Sequence, residues 1–273
     1  DIRVAVVHHK QRSDQYDELP VISVKDIPEH VWIDYPHELA DLVSNETEED
    51  PRILEKSPAI HDLLRQDAFP PVTLGDTGDT TYVSANDLLL DSMRLGVHIA
   101  KSGYLPDFLV ALWPGGVQAG LCIHEVFKYY AKKEGRDDPR PDHIALNTTS
   151  THLSYRTNIL GLDYLADRMK HSDELLIVDT VFRSGRVASD VVNTLKETLR
   201  RNLDIEKIRI ASVYWNPDDQ STWTVRPFRL EPDYYLKKGD QYVVYPHAPY
   251  RFANPRADLT LYNPELAQIL FGS

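Results

Sequence analysis

An α/β fold, a mainly parallel sheet flanked by helices, is predicted for this chain by three observations. Short apolar or β-branched runs at residues 108–112, 143–146 and 175–179 are each followed, after a loop, by a stretch with helical spacing, and a further β-rich run stands at 208–214. Parallel neighbours need a crossover of a dozen or more residues, usually a helix, so this alternation reads as a parallel sheet. Glycines stand at two of the strand-to-helix junctions, Gly115-Gly116 and Gly185, where the chain must turn tightly. Finally, 273 residues with 42% hydrophobic content suffice for a sizeable core in one large domain or two small ones.

The elements follow in order. Residues 1–83 are the least patterned, with prolines at 20, 28, 36, 51, 58, 70 and 71 and the acidic run Glu46-Thr47-Glu48-Glu49-Asp50. They read as an irregular N-terminal extension: a short strand at 2–8, little regular structure to about 56, and a helix near 58–66. His8-His9 does not make a metal pair, because adjacent strand residues face opposite ways. Ser84 with Asp87 three residues on reads as an N-cap, and Leu88, Leu89, Met93, Leu95, Val97 and Ile99 give the helix that follows an apolar surface, ending at Lys101-Ser102-Gly103. A buried strand at 108–112 runs into the turn Trp113-Pro114-Gly115-Gly116 and a helix over 117–132, with Trp113 expected to pack. Next come a strand at 143–146, a polar loop at 147–158 and a short helix within 160–169. Leu175-Leu176-Ile177-Val178-Asp179 is the most strand-like run, followed by the polar loop Arg183-Ser184-Gly185-Arg186 and a helix over 187–203. In such folds ligands sit beyond the carboxyl ends of the strands, which is where a site is expected.

Composition narrows the function. Thirty Lys and Arg face 42 Asp and Glu, a formal charge of −12 that disfavours nucleic acid and anionic membranes as partners. No apolar run approaches the ~18–20 residues needed to span a bilayer, and no basic segment followed by an apolar one opens the chain. Cys122 is the only cysteine, so an intrachain disulfide and a cysteine-rich zinc site are excluded. It reads as a small buried hydrophobe, and the chain as soluble and cytoplasmic. His124 and Glu125 fall on different faces of a helix and do not form a zinc pair. Arg251 and Arg256 are expected to face solvent.

The chemistry concentrates in Leu176-Ile177-Val178-Asp179-Thr180-Val181-Phe182-Arg183-Ser184-Gly185-Arg186. An acid at a strand end is followed by a tight turn that opens a helix. Successive amides at that helix start, with the Ser184 hydroxyl and Arg186 nearby, make a cradle for phosphate.

This segment resembles the signature of the type I phosphoribosyltransferases: apolar residues, two acids, a short gap, then Thr or Ser, Gly, any residue, and Thr or Ser. Asp179 matches the first acid and Ser184-Gly185 the centre, while Thr180 and Val187 depart at the second acid and the last hydroxyl. Residues 103–116 are similar to the first strand and pyrophosphate loop of the 6-oxopurine (hypoxanthine and xanthine-guanine) branch, with Pro114 where a basic residue often precedes the two glycines. Ser154-Tyr155 resembles the pair in that branch's mobile loop. Pro232-Asp233-Tyr234-Tyr235 and Gly239–Pro246 resemble its C-terminal hood, in which an aromatic residue stacks on the base.

The resemblance implies a core with a small C-terminal hood over 84–247, an extension at 1–83 and a tail at 248–273. It implies binding of phosphoribosyl pyrophosphate (PRPP) by Asp179, Thr180, Ser184, Gly185, Arg186, Val187, Gly115 and Gly116. Magnesium would be carried mainly by the PRPP oxygens, with its protein ligands unknown, and a homo-oligomer is expected. Asp179, Ser154, Tyr155 and Arg183 are the candidate catalytic residues, and Arg183, Asn216, Tyr242 and Val243 the candidate contacts to the acceptor. Two departures bear on the acceptor. Arg183 stands where the branch has an acid that takes the acceptor's proton, and a guanidinium is no general base. Asn216 stands where the branch has a lysine, and offers a mixed donor and acceptor edge. The expectation is therefore Mg-dependent phosphoribosyl transfer from PRPP to a nucleobase-like or heterocyclic acceptor other than a standard 6-oxopurine. Purine salvage with rearranged base contacts and a non-catalytic PRPP or nucleotide sensor stand as the alternatives.

Overall fold

The structure of the protein, a computed structural model, describes residues 4–11, 21–31, 33, 35–39, 57–67, 69–74, 80–136, 141–148, 159–217 and 231–272. The chain divides into two compact units, residues 1–36 and 37–273.

In the first unit β1 (Val4–Gln11) pairs in parallel with β2 (Val21–Pro28), in register from Val4↔Val21 to Gln11↔Pro28. The second strand corrects the expectation of little regular structure before residue 56. Val21, Ile22 and Val24 are β-branched, and the prolines that suggested irregularity stand at the two ends of the strand, Pro20 before it in sequence and Pro28 as the last residue of β2, where proline is tolerated. His8 and His9 take separate partners, the Tyr35 hydroxyl at 3.0 Å and the Asp26 carboxylate at 3.3 Å, as neighbours on a strand must.

In the second unit the described elements run α1 (Pro58–Leu64), β3 (Val72–Thr73), β4 (Thr80–Tyr82), α2 (Ala85–Lys101), β5 (Phe108–Trp113), α3 (Gly116–Lys133), β6 (Asp142–Asn147), α4 (Leu162–Ala166), β7 (Leu175–Phe182), α5 (Arg186–Leu199), β8 (Ile208–Trp215), β9 (Tyr234–Lys238), β10 (Tyr242–Val244), α6 (Pro255–Tyr262) and α7 (Pro264–Phe271). A six-stranded sheet in the order β3-β9-β8-β7-β5-β6 is parallel at every pairing. β10 pairs with β4 apart from it.

The alternation of side chains along the strands divides the core into two layers. Phe108, Val110 and Leu112 of β5, with Leu175 and Ile177 of β7, pack with Val191, Val192 and Leu195 of α5. Leu109 and Ala111, with Leu176 and Val178, pack with Ile123 and Phe127 of α3 and Leu95 and Ile99 of α2. Helices thus cover both faces, and each fully buried Leu, Ile or Val contributes about 1.5–3 kcal/mol. Local signals set the helix starts. Ser84 Oγ accepts from Asp87 N at 3.1 Å and donates to its carboxylate at 2.6 Å, the cap the sequence predicts. Asp91, 1% exposed on α2, is neutralised by Arg94 at 2.7 Å and by Lys237 of β9 at 2.5 Å, which ties this helix to the sheet. Cys122 is buried as expected, and burial pushes its thiol up to about 12, far from a reactive thiolate. Among the described residues no helix is long and apolar enough to cross a membrane.

Candidate functional site

Strand order locates the crevice. β5 lies between β6 and β7, so the chain leaving β5 moves to one side and the chain leaving β7 moves to the other, toward β8. The loops after β5 and β7 therefore part from each other at adjacent strand ends, the point where parallel sheets bind ligands. Both loops end in a glycine that starts a helix without a side-chain cap. Gly115 precedes α3 with φ −63°, and Gly185 precedes α5 with φ 66°, a left-handed conformation that suits glycine. First-turn amides without a capping side chain are suited to an anion.

The two loops are pressed together at one spot. A Cβ on Gly116 would overlap the Val178 carbonyl oxygen, and one on Gly115 would come within 2.7 Å of Thr180 Oγ1 and 3.5 Å of Asp179 Oδ1. The glycine pair expected for a pyrophosphate loop thus abuts the acid of the phosphate motif. Asp179 is half-buried, and its Oδ1 accepts from Thr180 N at 2.7 Å. Burial pushes its carboxyl up to about 6, against the opposing pull of the Thr180 and Val181 amides and of the Arg251 charge. Its position corrects one expectation: Asp179 is not at the strand end. β7 continues to Phe182 because its partner β8 continues to Trp215, and Asn216 N then donates to Phe182 O at 2.9 Å. Thr180 is consequently only 3% exposed, with its hydroxyl against the Gly115 position.

The other expected residues fall as follows. Arg183, Arg186 and Val187 are exposed, Ser184 half-buried and Gly185 buried, and Ser184 Oγ accepts from Arg186 N at 3.4 Å. Asn216 is buried, and its amide donates to Gln241 O at 2.8 Å, joining the end of β8 to the turn before β10. Tyr242 is 40% exposed, whereas the Val243 side chain lies in the core with Leu109 and Val178. Ser154 and Tyr155 lie outside the described residues. Trp113, expected to pack, is 51% exposed, because it is the last residue of β5 and lies beyond the cover of the helices.

Sequence reasoning missed one group next to Asp179. Tyr245, 2% exposed, donates its hydroxyl to Thr180 O at 2.9 Å. His247 stacks on its ring at 5.5 Å between centroids and 5° between planes, and Tyr214 meets it edge-on at 6.0 Å. Desolvation and then the Arg251 charge lower the His247 imidazole below its ordinary value. The only signal was the aromatic at the end of Tyr242-Val243-Val244-Tyr245, which by itself does not name Thr180, 65 residues earlier. Among the described residues no three acids, histidines or thiols converge to hold a metal ion. A magnesium ion fits as a companion of a bound diphosphate, with Asp179 the carboxylate available at the loop.

No family model matches the chain, and neither does any curated protein sequence. Solved structures do resemble it. A purine phosphoribosyltransferase from Pyrococcus horikoshii OT3 matches at 17% identity and a TM-score of 0.42, over 62% of this chain and 94% of that one. A xanthine-guanine-hypoxanthine phosphoribosyltransferase from Helicobacter pylori matches at 16% identity and 0.43, over 68% and 99%. A hypothetical protein from Neisseria gonorrhoeae with bound ppGpp matches at 15% identity and 0.40, over 68% and 97%. At these values the likenesses assign neither an activity nor a ligand to this chain.

Proposed function

We propose that the crevice between the loops after β5 and β7 binds PRPP and transfers its phosphoribosyl group to a planar heterocyclic acceptor other than a standard 6-oxopurine, releasing pyrophosphate. The observation that carries this reading is the packing of Gly115-Gly116 against Asp179-Thr180. Two helix starts without side-chain caps and a single acid open on one crevice, a combination suited to a sugar with a phosphate at each end.

In this reading the amides from Ser184 to Val187 hold the 5-phosphate and Asp179 accepts from the ribose hydroxyls. Gly115 and Gly116 let backbone amides approach the leaving diphosphate, as a side chain there would not. Thr180 serves by holding the strand against the glycine loop, in keeping with its burial. Magnesium, when bound with the substrate, supplies positive charge to the diphosphate as it departs. Tyr242, half open to solvent, stacks on the acceptor ring, Asn216 and the Val243 backbone border that ring, and Arg183 favours an anionic or strongly accepting group on it. An acceptor that arrives deprotonated needs no general base, so an arginine there is compatible with turnover. Ser154-Tyr155 closes over the reaction and keeps water from the reacting carbon. The catalytic unit is residues 84–247, and a cytoplasmic homo-oligomer belongs to the same proposal.

The test is release of pyrophosphate from PRPP with magnesium, across nucleobases and heterocyclic carboxylic acids. Acceptor-dependent release is expected with at least one heterocycle. PRPP binding without release from any acceptor would favour a sensor, a reading to which Pro114 and Arg183 lend some weight, and no PRPP binding would refute both.

A further inference from the structure

β7 outlasts its neighbour β5. The pairing of the two strands ends at Ala111↔Val178, while β7 and β8 stay paired to Phe182↔Trp215. Beyond Val178 the backbone of β7 therefore has a strand on one side only, and its buried polar groups need other partners. Thr180 finds both of its partners in side chains. Its N donates to Asp179 Oδ1 at 2.7 Å, and its O accepts from the Tyr245 hydroxyl at 2.9 Å. The Val181 amide hydrogen-bonds the same Asp179 carboxylate. Thr180 O and Val181 N belong to one planar peptide group, so the hydroxyl and the carboxylate grip opposite ends of a single unit. Tyr245 is itself firmly held. It is 2% exposed, with His247 stacked on its ring and Tyr214 edge-on to it. Lys237 Nζ, paired with buried Asp91, donates to the Tyr214 hydroxyl at 3.3 Å, and Tyr245 O accepts from Ala248 N at 3.0 Å.

We propose that Tyr245 is a positioning residue of the site: by donating to the Thr180 carbonyl it fixes the Thr180–Val181 peptide, and with it the Asp179 carboxylate that receives the ribose hydroxyls. The inference rests on the phosphoribosyl reading above and gives a task to a buried residue that the reading leaves without one. A hydrogen bond accepted by a peptide carbonyl polarises the unit and strengthens its N–H as a donor. The Val181 N–H accordingly holds the ionised carboxylate more firmly, which favours the charged form. Arg251 supplies the other charge acting on Asp179, and Tyr214, Asp91 and Asp179 itself are the ionisable groups that act on Tyr245.

The experiment compares the wild-type protein with Tyr245→Phe, which keeps the ring and removes the hydroxyl, with Asp179→Asn and with the double variant. The Asp179 carboxyl carbon is titrated by NMR without ligand, and PRPP, ribose 5-phosphate and inorganic pyrophosphate are then titrated into each protein. In Tyr245→Phe the carboxyl is expected to titrate at least ~0.3 pH unit higher, because its ionised form has lost support. PRPP and ribose 5-phosphate are expected to bind ~3–10-fold more weakly, while pyrophosphate, which has no ribose, stays within about 2-fold. In the Asp179→Asn background the same substitution is expected to change PRPP affinity less than ~2-fold, since the group it acts through is gone. An unmoved carboxyl titration would overturn the proposal. Equal weakening of pyrophosphate, or a full effect in the Asp179→Asn background, would mark a merely structural role and overturn it as well. Failure of the wild type to bind PRPP or ribose 5-phosphate would instead overturn the phosphoribosyl reading, which the ligand-free carboxyl titration does not touch.

Discussion

Gly115 lies so close to Thr180 that a Cβ on the glycine would come within 2.7 Å of the threonine hydroxyl oxygen. This contact joins two segments 65 positions apart and brings the loop after β5 against β7. It also distinguishes the two glycines. Beyond Gly115 lies the tip of the Thr180 side chain, while beyond Gly116 lies the backbone carbonyl of Val178, which cannot move without the strand.

Gly116→Ala is therefore expected to destabilise the protein by about 1–3 kcal/mol through overpacking against strand backbone, read as a lower urea midpoint. Gly115→Ala is expected to cost less, and less still when Thr180→Ala has removed the opposing hydroxyl. A double-mutant cycle in urea measures that coupling, and strict additivity would show that the contact carries no strain.

Asp179 links stability to pH. Its carboxyl is raised in the fold from 3.8 to about 6, so the fold favours the uncharged form. The stabilisation this gives is complete below the ordinary carboxylate value and is lost as pH rises through about 6, up to about 3 kcal/mol across that window. Asp179→Asn is expected to flatten the decline in stability between pH 4 and pH 6.5 and to be the more stable protein at pH 7. Urea midpoints of both proteins across that range check it. PRPP binding runs the other way, strengthening with pH as the carboxylate forms.

Ser184→Asp places a negative charge beside the amides that start α5. It is expected to lower PRPP affinity at least ~10-fold, equivalent to ~1.4 kcal/mol, by repelling the 5-phosphate. An unchanged PRPP titration would remove the 5-phosphate from this turn.

Arg183 is exposed at the mouth of the same loop. Arg183→Asp is expected to abolish turnover of the native acceptor and to create weak activity on hypoxanthine or guanine, because a carboxylate can take the ring proton that a guanidinium cannot. Steady-state kinetics of both proteins on both acceptor classes decide this. Efficient use of hypoxanthine or guanine by the wild type would refute the assignment of this pocket.

Much of the sheet was legible because its signals are local. The run Leu175-Leu176-Ile177-Val178 can only be a strand buried on both faces, and all four residues are 0% exposed. Ser84 with Asp87 marked a helix start through a bond spanning three residues, and Gly185 marked a turn because it takes the left-handed conformation. β2 was misread because prolines were weighed above the β-branched residues between them. Trp113 was misread because an aromatic at a strand end carries no sign of where the covering helices stop.

The sequence by itself determined the alternation of strands and helices, the two glycine junctions and the acid near the second of them, since periodicity, capping and glycine's conformational freedom act over a few residues. Only the tertiary structure decided that Gly115 meets Thr180, that β7 runs past Asp179 alongside β8, and that the Tyr245 hydroxyl reaches the Thr180 carbonyl. Each of these joins residues tens of positions apart. Such contacts depend on which strands become neighbours and in what register, and that is set by the packing of the whole sheet against its helices rather than by any local run of side chains.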